Sequence, residues 1–242
     1  MKNKQMFWFL LSCFSVVVCD MNASVPQGLP SPYNELSEIL PFNGHGWYEN
    51  GQWLSKLIRK NNVKTVIEVG SWLGSSTRHI ASMLPENGMV YAIDTWEGSV
   101  EHALNNNFSG MLPTLYQQFL SNVVHAKLVH KIIPIKKHSL DAAKILFAGQ
   151  VKADLIYIDA AHDTESVYRD LVAYFPFVAN NKGILCGDDW LWDSVRSAVD
   201  IFAHHYNLAV YSIDNFWFIA EEGHCKVSFA LNCSEDVWQF PK

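Results

Sequence analysis

Two short segments concentrate the side chains that could do chemistry. Asp159-Ala160-Ala161-His162 closes one apolar run, and Gly187-Asp188-Asp189 closes another, with Asp188 standing 29 residues after Asp159. If both runs are neighbouring strands, which lie ~4.8 Å apart in a sheet, Asp159 can face Asp188 or Asp189 across the sheet edge. Three carboxylates brought together repel one another and hold on to protons, and a hard divalent cation with oxygen ligands removes that penalty. Asp159, Asp188 and Asp189 are therefore candidate metal ligands, with magnesium the best fit and manganese next. Helix capping competes for these acids. Asp163 or Thr164 is a good N-cap, and Asp189 could serve a helix beginning near Trp192, but capping accounts for one acid and not three. His162 follows Asp159 at the open end of the sheet, placed to take a proton from a hydroxyl whose pKa the cation has lowered. Asp159 and His162 are the candidate catalytic residues.

Holding these groups together requires a sheet whose strands all end on one edge, and the chain alternates accordingly. Trp53, Leu54, Leu57 and Ile58 mark a first helix that ends near Asn61-Asn62. Apolar or β-branched runs at Thr65 to Val69, Met89 to Ile93, Lys131 to Lys137, Ala153 to Ile158 and Gly183 to Cys186 predict five strands. Between them lie a helix through Ile80 and Leu84, a polar excursion over 101 to 112, and helices from Leu115 to Val124 and from Ser139 to about Phe147. Val167, Leu171 and Tyr174 share the face of another helix, which runs up to Pro176, and Val195, Val199 and Phe202 share the face of the last. Two closely spaced strands, Ala209 to Ile213 and Phe216 to Ala220, turn at Asn215.

The first strand leads into Glu68-Val69-Gly70-Ser71-Trp72-Leu73-Gly74-Ser75-Ser76. A strand, a glycine turn and a helix N-terminus make a nucleotide-sized pocket. A dinucleotide fold wants G-x-G-x-x-G, and here Trp72 fills the central position, so no pyrophosphate cradle forms. The order E-x-G-x-x-x-G resembles the first motif of class I S-adenosylmethionine (SAM) methyltransferases. That resemblance implies that Glu68, Gly70, Ser71 and Gly74 bind the cofactor, the turn passing under its methionine part. It also implies that Asp94, at the end of the second strand, accepts hydrogen bonds from the ribose hydroxyls. Ser139, after the third strand, falls near the adenine, although capping of its helix explains it equally well. The D-x-x-H of Asp159 and His162 with the acid pair Asp188-Asp189 resembles metal-dependent O-methyltransferases that act on macrolide sugars, and related cephalosporin-modifying enzymes. In those enzymes the acids bind magnesium and the histidine is the base; Asp188 departs from the Glu they often carry. The implied fold is α/β: a Rossmann-like seven-stranded methyltransferase sheet, mostly parallel, closed by an antiparallel strand of the C-terminal hairpin, with helices on both faces. The implied activity is methyl transfer to a hydroxyl of a small molecule or sugar. A catalytically inactive SAM- or nucleotide-binding interaction protein is the alternative; it would keep Glu68, Gly70 and Asp94 while the acids only cap helices.

With 242 residues, 49% hydrophobic and 17% charged, the chain can bury a sizeable single core. A net charge of −6 without a basic, aromatic-interleaved patch argues against a nucleic-acid partner. Lys2 and Lys4 before the uncharged stretch Met6 to Val18 have the layout of a secretory signal over residues 1–23, cleaved between Cys19 and Ala23. The alternatives are an uncleaved anchor, associating with a membrane through residues 6–18, or a buried helix in a cytoplasmic protein. Residues 24–48 are a proline-rich irregular lead-in whose tail, Asn43 to Tyr48, either covers a site or packs on the surface. The methyltransferase domain occupies 49–221. The 222–242 extension carries Cys225 and Cys233, which could close a small loop. Trp72, Trp96, Trp190 and Trp192 follow strand ends, where they either stack on a ligand or fill the core.

Overall fold

Nearly continuous apolar runs demand strands covered on both faces, and the chain meets that demand with one central sheet between two helical layers. The computed structural model describes residues 25–179 and 183–220. In chain order its helices and strands are α1 (Gly51–Asn61), β1 (Thr65–Val69), α2 (Ser75–Met83), β2 (Met89–Asp94), α3 (Val100–Leu104), α4 (Asn106–Ser109), α5 (Leu115–His125), β3 (Ile132–Lys136), α6 (Ser139–Ala148), β4 (Leu155–Ile158), α7 (Thr164–Tyr174), α8 (Pro176–Ala179), β5 (Ile184–Gly187), α9 (Asp193–Tyr206), β6 (Ala209–Ile213) and β7 (Phe216–Ala220). The sheet has seven strands in the order β3-β2-β1-β4-β5-β7-β6. Pairings among β1 to β5 are parallel, and β7 enters antiparallel between β5 and β6. The expected α/β architecture, its terminal hairpin included, is the observed one.

Side-chain alternation along the central strands divides the core. Val66, Leu155 and Tyr157 join Leu54, Leu57 and Phe119 on one face. Ile67, Val69, Ile156 and Ile158 join Leu171, Val199 and Phe202 on the other. Because β1, β2, β4 and β5 run the same way, their carboxyl ends share one edge. The register pairs Val69 with Ile158 and Ile158 with Gly187, so Gly70, Asp159 and Asp188 come next in a single row.

Local chemistry fixes where the elements stop. Asn62 and Asn207 end α1 and α9 in the left-handed region at φ 51° and 53°, conformations that asparagine tolerates better than most residues. Asp214 at φ 52° and Asn215 make the two-residue turn between Ile213 and Phe216. The excursion after β2 is more ordered than its polarity suggests, since it contains α3 and α4. Pro176 does not end the helical run but opens α8, as its fixed φ and missing N–H permit at a first helical position. The proposed role of Asp189 as a cap is not realised: Trp192 occupies the N-cap of α9, and no side chain caps it. Cys186 is fully buried, as its apolar run implies, and its thiol donates to the Ile156 carbonyl. Residues 1–24 and 221–242, which hold the signal or anchor and the Cys225–Cys233 pair, lie outside the described residues. Among the described residues no helix is long and apolar enough to cross a membrane.

Asp163 caps α7 by accepting the Ser166 N–H at 2.9 Å, and that bond holds its carboxyl below the usual range. Asp163→Ala should lower stability by about 1 kcal/mol in urea denaturation at pH 7. A depressed folded pKa favours the ionised form in the folded state. The difference between the two proteins is therefore complete above the unfolded pKa of about 3.9 and fades as pH falls through the lower folded value.

Candidate active site

Gly70 is the pivot of the edge. It takes φ +91°, and a Cβ built on it would fall 1.8 Å from the Asp159 carbonyl oxygen, so the backbone of the segment after β4 fills the space a side chain would need. Two ladder bonds continue past the strands here: Gly70 N–H to the Ile93 carbonyl and Asp159 N–H to the Val69 carbonyl, both at 2.8 Å. Gly74 takes φ +76° at the N-cap of α2, and its missing side chain makes room for Phe119.

Beneath the turn, Glu68 is fully buried and accepts from the Ser71 hydroxyl at 2.8 Å and from the Thr77 hydroxyl. Burial pushes its carboxyl up; hydroxyls of Ser76, Thr77 and Ser71 work against that rise. Glu68, Ser71 and Gly74 do not line the cavity above. Glu68 braces the turn from below, because β1 alternation sends it to the α2 side of the sheet. Gly70 and Asp94 do line that cavity, which measures about 510 Å³, as do Ser139, Asp159 and His162.

Asp94 ties two loops together. Its Oδ2 accepts the Trp72 N–H at 2.8 Å and its Oδ1 the Trp96 N–H at 2.7 Å, while the Trp96 indole donates to the Trp72 carbonyl at 2.7 Å. Desolvation raises its carboxyl, opposed by these backbone amides. A carboxylate has about four acceptor positions, so each oxygen retains capacity for a ligand hydroxyl.

At the other end of the cavity, His162 Nε2 lies 3.0 Å from Asp189 Oδ2, and the imidazole stacks on Trp192 with centroids 4.7 Å apart. The Ser194 hydroxyl donates to the His162 carbonyl at 2.5 Å. The ring is thus held by a carboxylate, an aromatic face and its own backbone. Asp188 is buried and turned away: its Oδ1 accepts the Asp189 N–H at 2.7 Å and the Asn215 amide at 2.8 Å, and its Oδ2 the Tyr157 hydroxyl at 3.3 Å. Asp159 has its carboxyl pushed well up, by burial first and then by the charges of Asp188, Asp189 and Glu68. Among the described residues, no three His, Cys, Asp or Glu side chains are arranged as a metal-ligand group. The three acids converge electrostatically, but Asp188 is engaged with Tyr157 and Asn215, and Asp189 with His162.

Several participants escaped the sequence. Tyr157 reads as one more apolar strand residue and Asn215 as a turn former, and only their register reveals them as partners of Asp188. The lead-in does cover the site: Trp47 lines the cavity and stacks on His102 at 6.0 Å, next to Trp72. Of the four tryptophans singled out, Trp72 lines the cavity and Trp192 holds His162. Trp96 belongs to the core, packing on Tyr116 and Phe119, and Trp190, partly buried, packs against the other face's core.

A family model described as a methyltransferase domain matches residues 67–190. Caffeoyl-CoA O-methyltransferase 2 of Petunia hybrida is 26% identical over 179 residues, 72% of this chain and 66% of the petunia protein, so the chain spans just under two thirds of that relative. Caffeoyl-CoA O-methyltransferase 1 of Nicotiana tabacum is also 26% identical, with 67% of its length covered. Among solved structures, an O-methyltransferase from Bacillus cereus in complex with SAH aligns with TM-score 0.55 and 18% identity over 75% of this chain and 84% of its own. The O-methyltransferase TomG from Streptomyces achromogenes, in complex with SAM, aligns with TM-score 0.52 and 17% identity over 78% of this chain and 84% of its own. These structures share the fold.

The Gly70 contact yields a direct test. Gly70→Ala should destabilise the protein by about 3 kcal/mol or more, read as a lowered urea midpoint, because left-handed strain and a backbone clash add. An unchanged midpoint would show that the two strand ends separate easily.

Proposed function

This chain belongs to the methyltransferase-domain family and has the class I fold, and from that premise we propose that it transfers the methyl group of SAM to a hydroxyl of a small-molecule or sugar acceptor. The observation that carries the proposal is the single cavity that Gly70 and Asp94 share with Asp159 and His162. The glycine turn of Gly70 and the carboxylate of Asp94 suit the methionine and ribose portions of the cofactor, and Ser139 the base. His162 is the general base. Asp189, against Nε2, orients the imidazole that takes the acceptor proton. The acceptor oxygen then attacks the methyl carbon in line, the sulfur–methyl bond breaks, and S-adenosylhomocysteine (SAH) and the ether are released, with the proton passed to solvent. Trp192 and Ser194 keep the imidazole from turning away during that step.

The donor chemistry also fits a hard divalent cation, magnesium foremost. Asp159, Asp188 and Asp189 offer only oxygen, and the charges that act on Asp159 are those of other acids. We infer that these three would hold it. When bound, a cation there would neutralise the carboxylates and lower the pKa of the acceptor hydroxyl. The named activity of the relatives, O-methylation of caffeoyl-CoA, supports a hydroxyl as the methyl acceptor.

Incubating the protein with SAM and a panel of hydroxyl compounds, with mass spectrometry for a 14-Da gain, identifies an acceptor. With it, His162→Ala should slow turnover by ~10²–10⁴-fold, with partial recovery at higher pH as the acceptor ionises unaided. Chelation and Asp159→Ala should each abolish transfer while SAM still binds in calorimetry. Full activity in excess chelator would remove the cation, and an unimpaired His162→Ala enzyme would remove the base. SAM binding with no transfer to any acceptor would favour a binding protein.

A further inference from the structure

Leu73 stands in the glycine turn between Trp72, which lines the cavity, and Gly74 at the N-cap of α2. It is 1% exposed, so its carbonyl must find donors within the protein. Two side chains supply them. Asn122 of α5 donates from Nδ2 at 2.9 Å, and Arg78 of α2 from Nη1 at 2.6 Å.

Both donors also hold the lead-in. Asn122 is fully buried and uses its whole hydrogen-bonding capacity: Nδ2 donates a second time, to the Asn43 carbonyl at 2.7 Å, while Oδ1 accepts the Asn43 N–H at 3.0 Å and the Gln118 amide at 3.1 Å. One side chain thus pairs with both backbone groups of Asn43, as a neighbouring strand would. The Arg78 guanidinium lies over the Phe42 ring, 5.0 Å from its centroid. The turn and residues 42–43 are therefore joined at a single carbonyl oxygen through two independent side chains.

That junction sets the course of the chain toward Trp47. The Asn43 side chain accepts the His45 N–H at 3.0 Å, and the His45 ring packs edge-on against Trp47 with centroids 5.0 Å apart. Trp47 in turn meets Trp72 at 6.1 Å, and both line the cavity with Gly70 and Asp94. Trp47 is 61% exposed. Burial does not fix an indole with that much surface in water, so its place depends on the backbone that carries it.

We propose that Asn122 and Arg78 are positioning residues: by gripping the Leu73 carbonyl and the lead-in together they hold Trp47 against Trp72, and so make the lead-in part of the cofactor's binding site. The assignment rests on SAM being the cofactor. Anchoring the lead-in for stability alone asks only for bonds to α5, which Leu40 already makes with Ser121 and His125. It does not ask for bonds to the turn.

The test is a double-mutant cycle on the full chain, read by calorimetry with SAH. Asn122→Ala and Arg78→Met should each weaken SAH binding by about tenfold, and by less than about twofold once Trp47→Ala is present, because side chains that act through one another couple on that scale. Trp47→Ala alone should cost a similar factor. Arg78→Met keeps its stem over Phe42 and leaves Asn122 in place, so it carries the test if thermal melting shows that Asn122→Ala does not fold. Equal losses with and without Trp47 would mean that the two residues act on the turn alone, and would overturn the assignment. An SAH affinity unchanged by Trp47→Ala, or by both anchor variants, overturns it as well, and each of these results leaves SAM as the cofactor. Failure of the wild type to bind SAH overturns the cofactor and this assignment together.

Discussion

Everything at the working edge depends on how closely β1 and β4 approach as they end. The Asp159 carbonyl occupies the volume where residue 70 would carry a side chain, so the glycine turn after β1 and the segment bearing Asp159 and His162 meet without any gap. A parallel pairing alone brings two strand ends to about 4.8 Å, which is too coarse to place reacting groups. The extra closeness comes from one glycine. It makes the turn and the proposed acid–base segment parts of one rigid body, joined by the ladder bond from Asp159 to Val69, while Gly70 bonds on to Ile93 of β2.

Strain and its compensation are distributed around that pivot. Trp72 at φ +46° and Trp96 at φ +50° both adopt the left-handed region, which costs a non-glycine residue about 1–2 kcal/mol. Their amides both reach the same acid, Asp94, and charge-assisted hydrogen bonds of this kind each contribute ~1.5–3 kcal/mol. Asp94 is thus required by the protein before any ligand arrives. The same economy recurs at Asp189, whose φ of +64° turns its side chain toward His162 while its N–H donates to Asp188.

The fold was legible because its signals are local and repeated. Buried runs such as Leu155–Ile158 must be strands of a covered sheet, and Phe216–Ala220, beginning three residues after Ile213, must be a hairpin partner. The candidate site was legible where a residue stands at the end of a run, as Asp94, Asp159 and His162 do. It was illegible wherever side-chain parity or a long-range partner decides. Glu68 belongs to the family motif, yet the pleat sends it below the turn. Asp188 follows a strand whose parity places its side chain beside Tyr157 and Asn215 and not toward the open cavity.

The buried acids give the site a consistent electrical character. Asp94, Asp159, Asp170 and Asp188 all have carboxyls raised by burial, and several are raised further by one another. Asp94, Asp159 and Asp170 line the cavity, and a cation beside them is favoured in a region of low dielectric, where each charge is felt more strongly than in water. On the proposed reaction this asymmetry has a use. SAM carries a positive sulfonium, and SAH has a neutral sulfur in its place, so acidic walls hold the reactant more tightly than the product. The same field works against a bare alkoxide forming nearby, and that cost is what the base must meet. Placing His162 against Asp189 addresses it, because an imidazolium that has just taken the proton finds its countercharge already in position. The acidity of the edge and the pairing of its one cavity-lining histidine beyond β4 are two parts of a single electrostatic arrangement.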